Sequence, residues 1–363
     1  MNEDRASRYH RLKRQVGIIS VCWTLALFAG LLFTGGSVAI RNLAGHSALA
    51  VFFYVAIVLL LNEVGSLPLS FYSGFVLERR YGLSSEPLAR WCVDQVKSFA
   101  IGLVFSTIAA AIVYGFIRMS PEHWWLQAGA VFALLIVGLT NVAPVVLLPL
   151  FYRVKPLERA ALHARLLGLA ERAGAKVVGA YEWGLGEKTR KANAALAGLG
   201  GTRRILVSDT MLAEYTDEEI EVVLAHELAH HVHGDIWKGI ALESALILAG
   251  FYLASRLLAA FAPTFGLQGV ADVAGLPLLV LAAATVSLVM VPFAHAMSRA
   301  FERSADRFAL RLTRNPGAFV SAMRRLAAQN LAEEHPSRIV QILFYSHPPV
   351  RERIAAAEAF RMS

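Results

Sequence analysis

The chain has 363 residues, 56% of them hydrophobic and only 17% charged, with a mean hydropathy of +0.51. Soluble domains carry about 25% charged residues, so the composition excludes an ordinary soluble protein and points to an integral membrane protein with a modest water-facing part. The formal charge of +8 does not signal nucleic acid, because the basic residues cluster between and after apolar runs, as membrane topology requires.

Residues 1–15 carry Arg5, Arg8, Arg11, Lys13 and Arg14, a basic start that favours the cytoplasmic side. The first span is predicted over 16–40. It is uncharged and too long for a cleaved signal, so it should stay as an anchor. A short loop through Arg41 and His46 leads to a second run, Ser47 to Leu61, which meets Glu63 and a Gly65-x-x-Pro68 break. About 20 apolar residues cross a bilayer, so this span should run a little past the break. Segment 77–97 is polar. The third span is Ser98 to Ile117, and the fourth run, His123 to Tyr152, opens on the interfacial pair Trp124 and Trp125 and is kinked by Pro144 and Pro149. Cys22 and Cys92 stand alone and form neither a disulfide framework nor a thiolate metal site.

From 153 to 238 the character is that of a soluble domain. Leu157 to Ala173 reads as an amphipathic helix, and Val177–Glu182, Ala192–Leu199 and Arg204–Ser208 read as strands, the last two joined by a turn at Gly200-Gly201. The fifth span falls near 239–262 and the sixth over 273–298, followed by a basic, helical 299–363. Six spans place both ends inside. Segments 1–15, 77–97, 153–238 and 299–363 then share the cytoplasmic face, and 41–46, 118–122 and 263–272 lie outside. The domain expectation is a four-span part (1–152), a catalytic part (153–238), a membrane hairpin (239–298) and a second catalytic part (299–363).

Between these runs lies His226-Glu227-Leu228-Ala229-His230. Two histidines four apart share one face of a helix and can grip one metal ion, while the intervening glutamate can reach a water on that metal. The chemistry of such a pattern is zinc-assisted peptide hydrolysis. Thr216 and Glu219 form a capping box at the expected helix start, Ile220, Val223, Leu224 and Leu228 make an apolar stripe, and Gly234-Asp235 offers a stop. Catalytic zinc takes three protein ligands and one open position. Glu302, just after the sixth span, is the preferred third ligand, with Glu243 its rival inside the fifth span. Asp306, one turn beyond Glu302, is placed to accept the second ring N–H of a ligating histidine. His231 and His233 point away from the His226/His230 face and read as surface or supporting groups.

The chain resembles the type I CAAX prenyl endopeptidase family, multi-span gluzincin-type zinc metalloproteases related to the smaller heat-shock membrane proteases. The resemblance rests on five motifs in order. They are Leu67–Tyr72 with Phe75–Gly82, Asn193-Ala194 with Arg204–Thr210, the His226–His230 motif itself, Phe301-Glu302-Arg303 with Ala305-Asp306, and Tyr345–Pro349 with Arg353. It implies an α-helical integral membrane protein with a zincin-like α+β domain, and one zinc ion on His226, His230 and Glu302. It also implies Glu227 as general base, His347 and Arg353 around the tetrahedral intermediate, and Asn193 on the substrate backbone. Six spans are counted here against seven in eukaryotic members, which enclose a large chamber. The composition, rich in alanine and arginine, suggests a bacterial inner-membrane member, an endoplasmic reticulum location applying if the source is eukaryotic. The expected partners are peptide or protein substrates, among them hydrophobic or lipid-modified chain ends, and membrane lipid. Rival readings are a broad-specificity quality-control protease and a membrane protein that holds zinc without catalysis.

Overall fold

The computed structural model describes residues 4–361 except His46, Ala48 and Leu199. Parts of the first expected loop, of the second run and of the strand expected to end at Leu199 therefore lie outside the described residues. Helix α1 (Arg5–Phe33) starts within the basic N-terminus, capped by Asp4, whose carboxylate accepts from Ser7 N at 2.8 Å. It ends before the expected Ile40. Gly35 adopts φ +73°, a left-handed conformation that costs side-chain-bearing residues energy, and the chain restarts as the short α2 (Gly36–Ala44).

Helix α3 (Ala50–Ser70) runs through Pro68 and so past the break, as expected of this span. A π-helical turn, Phe71–Val76, carries it into α4 (Leu77–Arg80). Proline lacks the N–H and crowds the preceding turn, and a widened turn absorbs that misfit without ending the helix. Gly65 has a different task from the break expected of it. A Cβ there would lie 1.9 Å from Trp23 Cζ2 on α1, so the two helices cross this closely only over a glycine. Helix α5 (Leu88–Met119) begins well before the uncharged run at Ser98, and its first turns lift Arg90, Asp94 and Lys97 out of the apolar zone. Helix α6 (Trp124–Val142) continues through a π turn, Ala143–Leu147, into α7 (Leu148–Phe151), placing the irregularity at Pro144.

The water-facing part holds a four-stranded sheet of order β1-β2-β4-β3. Strand β1 (Val154–Pro156), too short to be read from sequence, pairs antiparallel with β2 (Gly179–Trp183). Helix α8 (Ala160–Arg172) lies between them in the chain. Strands β3 (Ala194–Ala197) and β4 (Arg204–Ser208) form the expected antiparallel pair around the glycine turn, and β2 runs parallel to β4. Strand β3 is therefore an edge. Helices α9 (Asp209–Glu214) and α10 (Asp217–Val232) follow. The capping box is present, with Thr216 N donating to Glu219 Oε2 at 2.9 Å and Glu219 N to Thr216 Oγ1 at 3.3 Å. One core joins Leu162, Leu166 and Leu169 of α8, Ile205 and Val207 of β4, and Ile220, Leu224 and Leu228 of α10.

Helix α11 (Asp235–Phe261) leads away and α12 (Leu276–Thr313) returns. With 38 residues, α12 is about 57 Å long at 1.5 Å per residue, far more than the ~30 Å hydrocarbon core. One continuous helix thus reads as a span and then carries Glu302 and Asp306 onto the face of α10. Helices α13 (Pro316–Gln329), α14 (Arg338–Phe344) and α15 (Val350–Arg361) close the fold. Among the described residues, five helices are long and apolar enough to cross a membrane: Arg5–Phe33, Ala50–Arg80, Leu88–Met119, Asp235–Phe261 and Val273–Thr313. The fourth expected span is a shorter apolar helix, Trp124–Thr140. Polar segments sort to two ends. Arg41 pairs with Asp272 at one end, while Arg14 meets Glu333 and Arg90 meets Glu187, each at 2.6 Å, at the other.

Gly65→Val should force α1 and α3 apart. Overpacking of this kind costs about 1–3 kcal/mol, expected as a lower unfolding temperature in detergent, whereas Gly102→Ala, a position with open space around it, should show no loss.

Candidate active site

His226 and His230 emerge from one face of α10, their ring centroids 5.0 Å apart. Glu302 on α12 comes to meet them. Its Oε2 lies 3.2 Å from His226 Nε2 and its Oε1 3.4 Å from His230 Nε2. The three residues offer ligand atoms within 4.8 Å of one another. Glu243, the rival, sits on an exposed face of α11 outside this group.

The remaining ring nitrogens face carboxylates. His226 Nδ1 lies 2.8 Å from Asp306 Oδ1, the contact expected of Asp306. His230 Nδ1 lies 3.1 Å from Asp235 Oδ2, which sequence reading assigned only to a helix stop. Gly234, left-handed at φ +67°, folds the chain back so that an acid five positions on can reach the ring. Each carboxylate accepts the Nδ1 hydrogen bond and so directs Nε2 at Glu302, the nitrogen whose lone pair a neutral ring would offer to a metal. Asp306 is gripped in turn by Arg353, Nε to Oδ2 at 2.8 Å and Nη2 to Oδ1 at 2.6 Å, and Lys238 Nζ donates to Asp235 Oδ1 at 2.9 Å.

Glu302 Oε2 is buried, and with a neutral His226 ring, whose Nε2 lies 3.2 Å away, it has no hydrogen-bond donor among the described residues. Two imidazole nitrogens and a carboxylate oxygen facing a buried, unsatisfied acceptor fit a tetrahedral metal with one open position. Burial alone favours neutral His226, but hydrogen bonds to Asp306 and Glu302 outweigh it and raise its pKa to about 9. His230 is raised too, against burial, by Glu302 and Asp235.

Beside the group lies a cleft of about 230 Å³ bordered by Asn193, Glu227, His347 and Arg353. Burial pushes the Glu227 carboxyl up, despite the neighbouring imidazoles. His347 is pushed down by burial, and its Nε2 lies 3.3 Å from Glu302 Oε1. Arg353, predicted to face the reacting carbonyl, spends Nε and Nη2 on Asp306, while its Nη1 lies 4.0 Å from Glu302 Oε2. His231 and His233 stay outside the group. His231 Nε2 is buried without a hydrogen-bond partner among the described residues, and burial beside Arg203 lowers its pKa to about 4. His233 packs edge-on to Phe308.

The profile described as Peptidase family M48 matches residues 156–361, the whole stretch that carries this geometry. The chain belongs to peptidase family M48. A second profile, described as CAAX prenyl protease N-terminal, five membrane helices, matches residues 2–153 of this M48 protein. Over that region the described residues form three helices of span length and the shorter Trp124–Thr140 helix. An uncharacterized metalloprotease, YhfN, of Bacillus subtilis is 32% identical over 97% of the chain and 84% of its own length. CAAX prenyl protease 1 of Saccharomyces cerevisiae is 26% identical over 82% and 70%. The crystal structure of S. mikatae Ste24p superposes with a TM-score of 0.86 at 22% identity, covering 97% of this chain and 87% of that one, and so shares its fold. The chain is thus a multi-pass membrane metalloendopeptidase.

Since His226 is protonated below about pH 9 when no metal is bound, a metal must displace a proton to reach Nε2. Zinc affinity should therefore rise with pH, approaching tenfold per unit below that value. Calorimetry at pH 7 in buffers of different ionisation enthalpy should register at least about one proton released, His226 supplying one and His230 adding to it, and Asp306→Asn should weaken zinc about 10–100-fold.

Proposed function

We propose that this metalloendopeptidase is a zinc enzyme that cuts peptide bonds close to the cytoplasmic membrane surface, in chains with hydrophobic or lipid-modified ends. The observation that carries the reading is the buried Glu302 carboxylate, with Oε2 facing His226 Nε2 and Oε1 facing His230 Nε2, beside a cleft walled by a strand edge. His226, His230 and Glu302 would hold the ion. Bound there, zinc supplies Lewis acidity, polarising a carbonyl and acidifying water.

The other steps fall to this chain's own side chains. Glu227 is the general base, because it follows a ligand histidine and borders the cleft, where a carboxyl raised by burial can take a proton and pass it to the departing amine. The Ser346 hydroxyl, 2.9 Å from His347 Nδ1, can donate to that nitrogen and keep the His347 proton on Nε2. An N–H there, with the Arg353 charge behind it, suits negative charge developing on the attacked carbonyl. Asn193 and the free edge of β3 line the same cleft, and an exposed strand aligns a peptide by backbone pairing while pockets choose its side chains. Cytoplasmic placement of the site is supported by the basic segments that gather at its end of the molecule, Arg14 and Arg90 among them. A relative named CAAX prenyl protease supports a substrate with a modified or hydrophobic chain end.

Glu227→Gln tests the reading. The variant should bind zinc as the wild type does and lose about 10²–10⁴ in kcat on hydrophobic peptides, followed by mass spectrometry with and without chelator. Undiminished cleavage by Glu227→Gln would remove the proposed base.

A further inference from the structure

We propose that the cavity between the first turns of α5 and the end of α7 binds an anionic phospholipid by its phosphate, a site separate from the metal group and independent of the peptidase reading. The cavity, of about 670 Å³, lies where the apolar helices meet the water-facing part. Both parts supply its charges. Arg90, Asp94 and Lys97 come from α5, Arg153 from the residue before β1, and Glu187 and Lys188 from the loop after β2. These six side chains form two clusters. Glu187 Oε2 accepts from Arg90 Nη1 at 2.6 Å, and its Oε1 lies 3.3 Å from Arg153 Nη1. Asp94 pairs with Lys188, and its Oδ1 accepts from Lys97 Nζ at 3.4 Å. Each cluster sets two cations against one carboxylate, so each keeps one positive charge in excess. The cations also stand outermost. The Arg153 side chain is 85% exposed and that of Lys97 45%, whereas Asp94 is recessed at 17%.

The rest of the lining says that the anion carries acyl chains. Val93 of α5 and Leu150 of α7 border the cavity and are both about half exposed. Apolar side chains left open at the end of membrane-type helices suit hydrocarbon, and cations immediately beyond them suit phosphate. Lys97 joins the two zones, its Nζ donating to Leu150 O at 3.2 Å while its charge stays in the cavity. Lys188 is fixed behind it, with Nζ 4.5 Å from the centroid of the Tyr152 ring. A zwitterionic headgroup brings its own cation and gains little from two excess positive charges, so the site should select lipids of net negative charge. A lipid held there would tie α5 to the loop after β2. Asp209 anchors that loop, its Oδ1 accepting from the Leu185 and Gly186 N–H groups at 2.9 Å each. Lipid binding should therefore also raise the stability of the whole chain.

The test uses the full chain, purified in detergent and stripped of lipid, with phosphatidylglycerol, phosphatidylcholine of the same acyl chains, or glycerol 3-phosphate added. Native mass spectrometry reads binding, and thermal unfolding reads stability. Phosphatidylglycerol should bind about tenfold or more tightly than phosphatidylcholine and raise the unfolding temperature by about 2 °C or more, and glycerol 3-phosphate should do neither. The double variant Lys97→Gln/Arg153→Gln leaves Arg90 on Glu187 and Lys188 on Asp94. It should lose about tenfold or more in affinity for phosphatidylglycerol. Arg172→Gln/Lys176→Gln, which removes two exposed cations outside the cavity, should lose about threefold or less. Equal binding of the two lipids, glycerol 3-phosphate binding as tightly as the lipid, or equal losses in the two double variants would each overturn the site. If the first double variant does not fold, Arg153→Gln alone decides, with a loss of about fivefold expected and an unchanged affinity contradicting it.

Discussion

The structure depends on one long-range encounter, the Glu302 carboxylate of α12 pressed against two imidazoles of α10. Buried charges are costly unless paired, and here the carboxylates behind the two imidazoles are each held by a cation. Asp306 fixes His226 and is fixed by Arg353, while Asp235 fixes His230 and is fixed by Lys238. The α10 face is held by the apolar core beneath it and by its capped start. The α12 face is held by continuity with a membrane helix. Any tilt of that helix would move Glu302 and Asp306 together, which ties the geometry of the metal group to the membrane part of the molecule.

The same coupling recurs at the cleft wall. The N-terminal helix, read from sequence as an anchor, also reaches into the water-facing part through Arg14 on Glu333 and His10 on the Leu331 carbonyl. Tyr345 donates to the same Glu333 at 2.5 Å, one residue before the segment that carries Ser346 and His347. The chain's first helix thereby buttresses two borders of the cleft more than 300 residues away, and the membrane helices act as the frame of the site as well as its tether.

How much of this was legible in the sequence follows from the range of each interaction. The α10 helix was legible because cap, stripe and paired histidines are local signals. Glu302 was legible because it is the first acid after the last apolar run. Asp235 was not, since its reach to His230 depends on the left-handed turn at Gly234, and an acid after a helix more often marks only a stop. The span ends shifted where local chemistry outweighs hydropathy. Gly35 ends α1 early, and the charged start of α5 is helical although polar. Strand β1 has three residues and no periodicity to read. The bonds of the Asn330 side chain to the Ala192 backbone, at the border of the cleft, join residues 138 apart, and nothing near either residue announces them.

Zinc K-edge absorption of the purified protein tests the central encounter most directly. The account predicts two imidazole nitrogens and one carboxylate oxygen in a four-coordinate shell at about 2.0–2.2 Å, with the carboxylate contribution lost in Glu302→Ala and kept in Glu243→Ala. Sulfur in the shell, or a shell that survives Glu302→Ala intact, would contradict it.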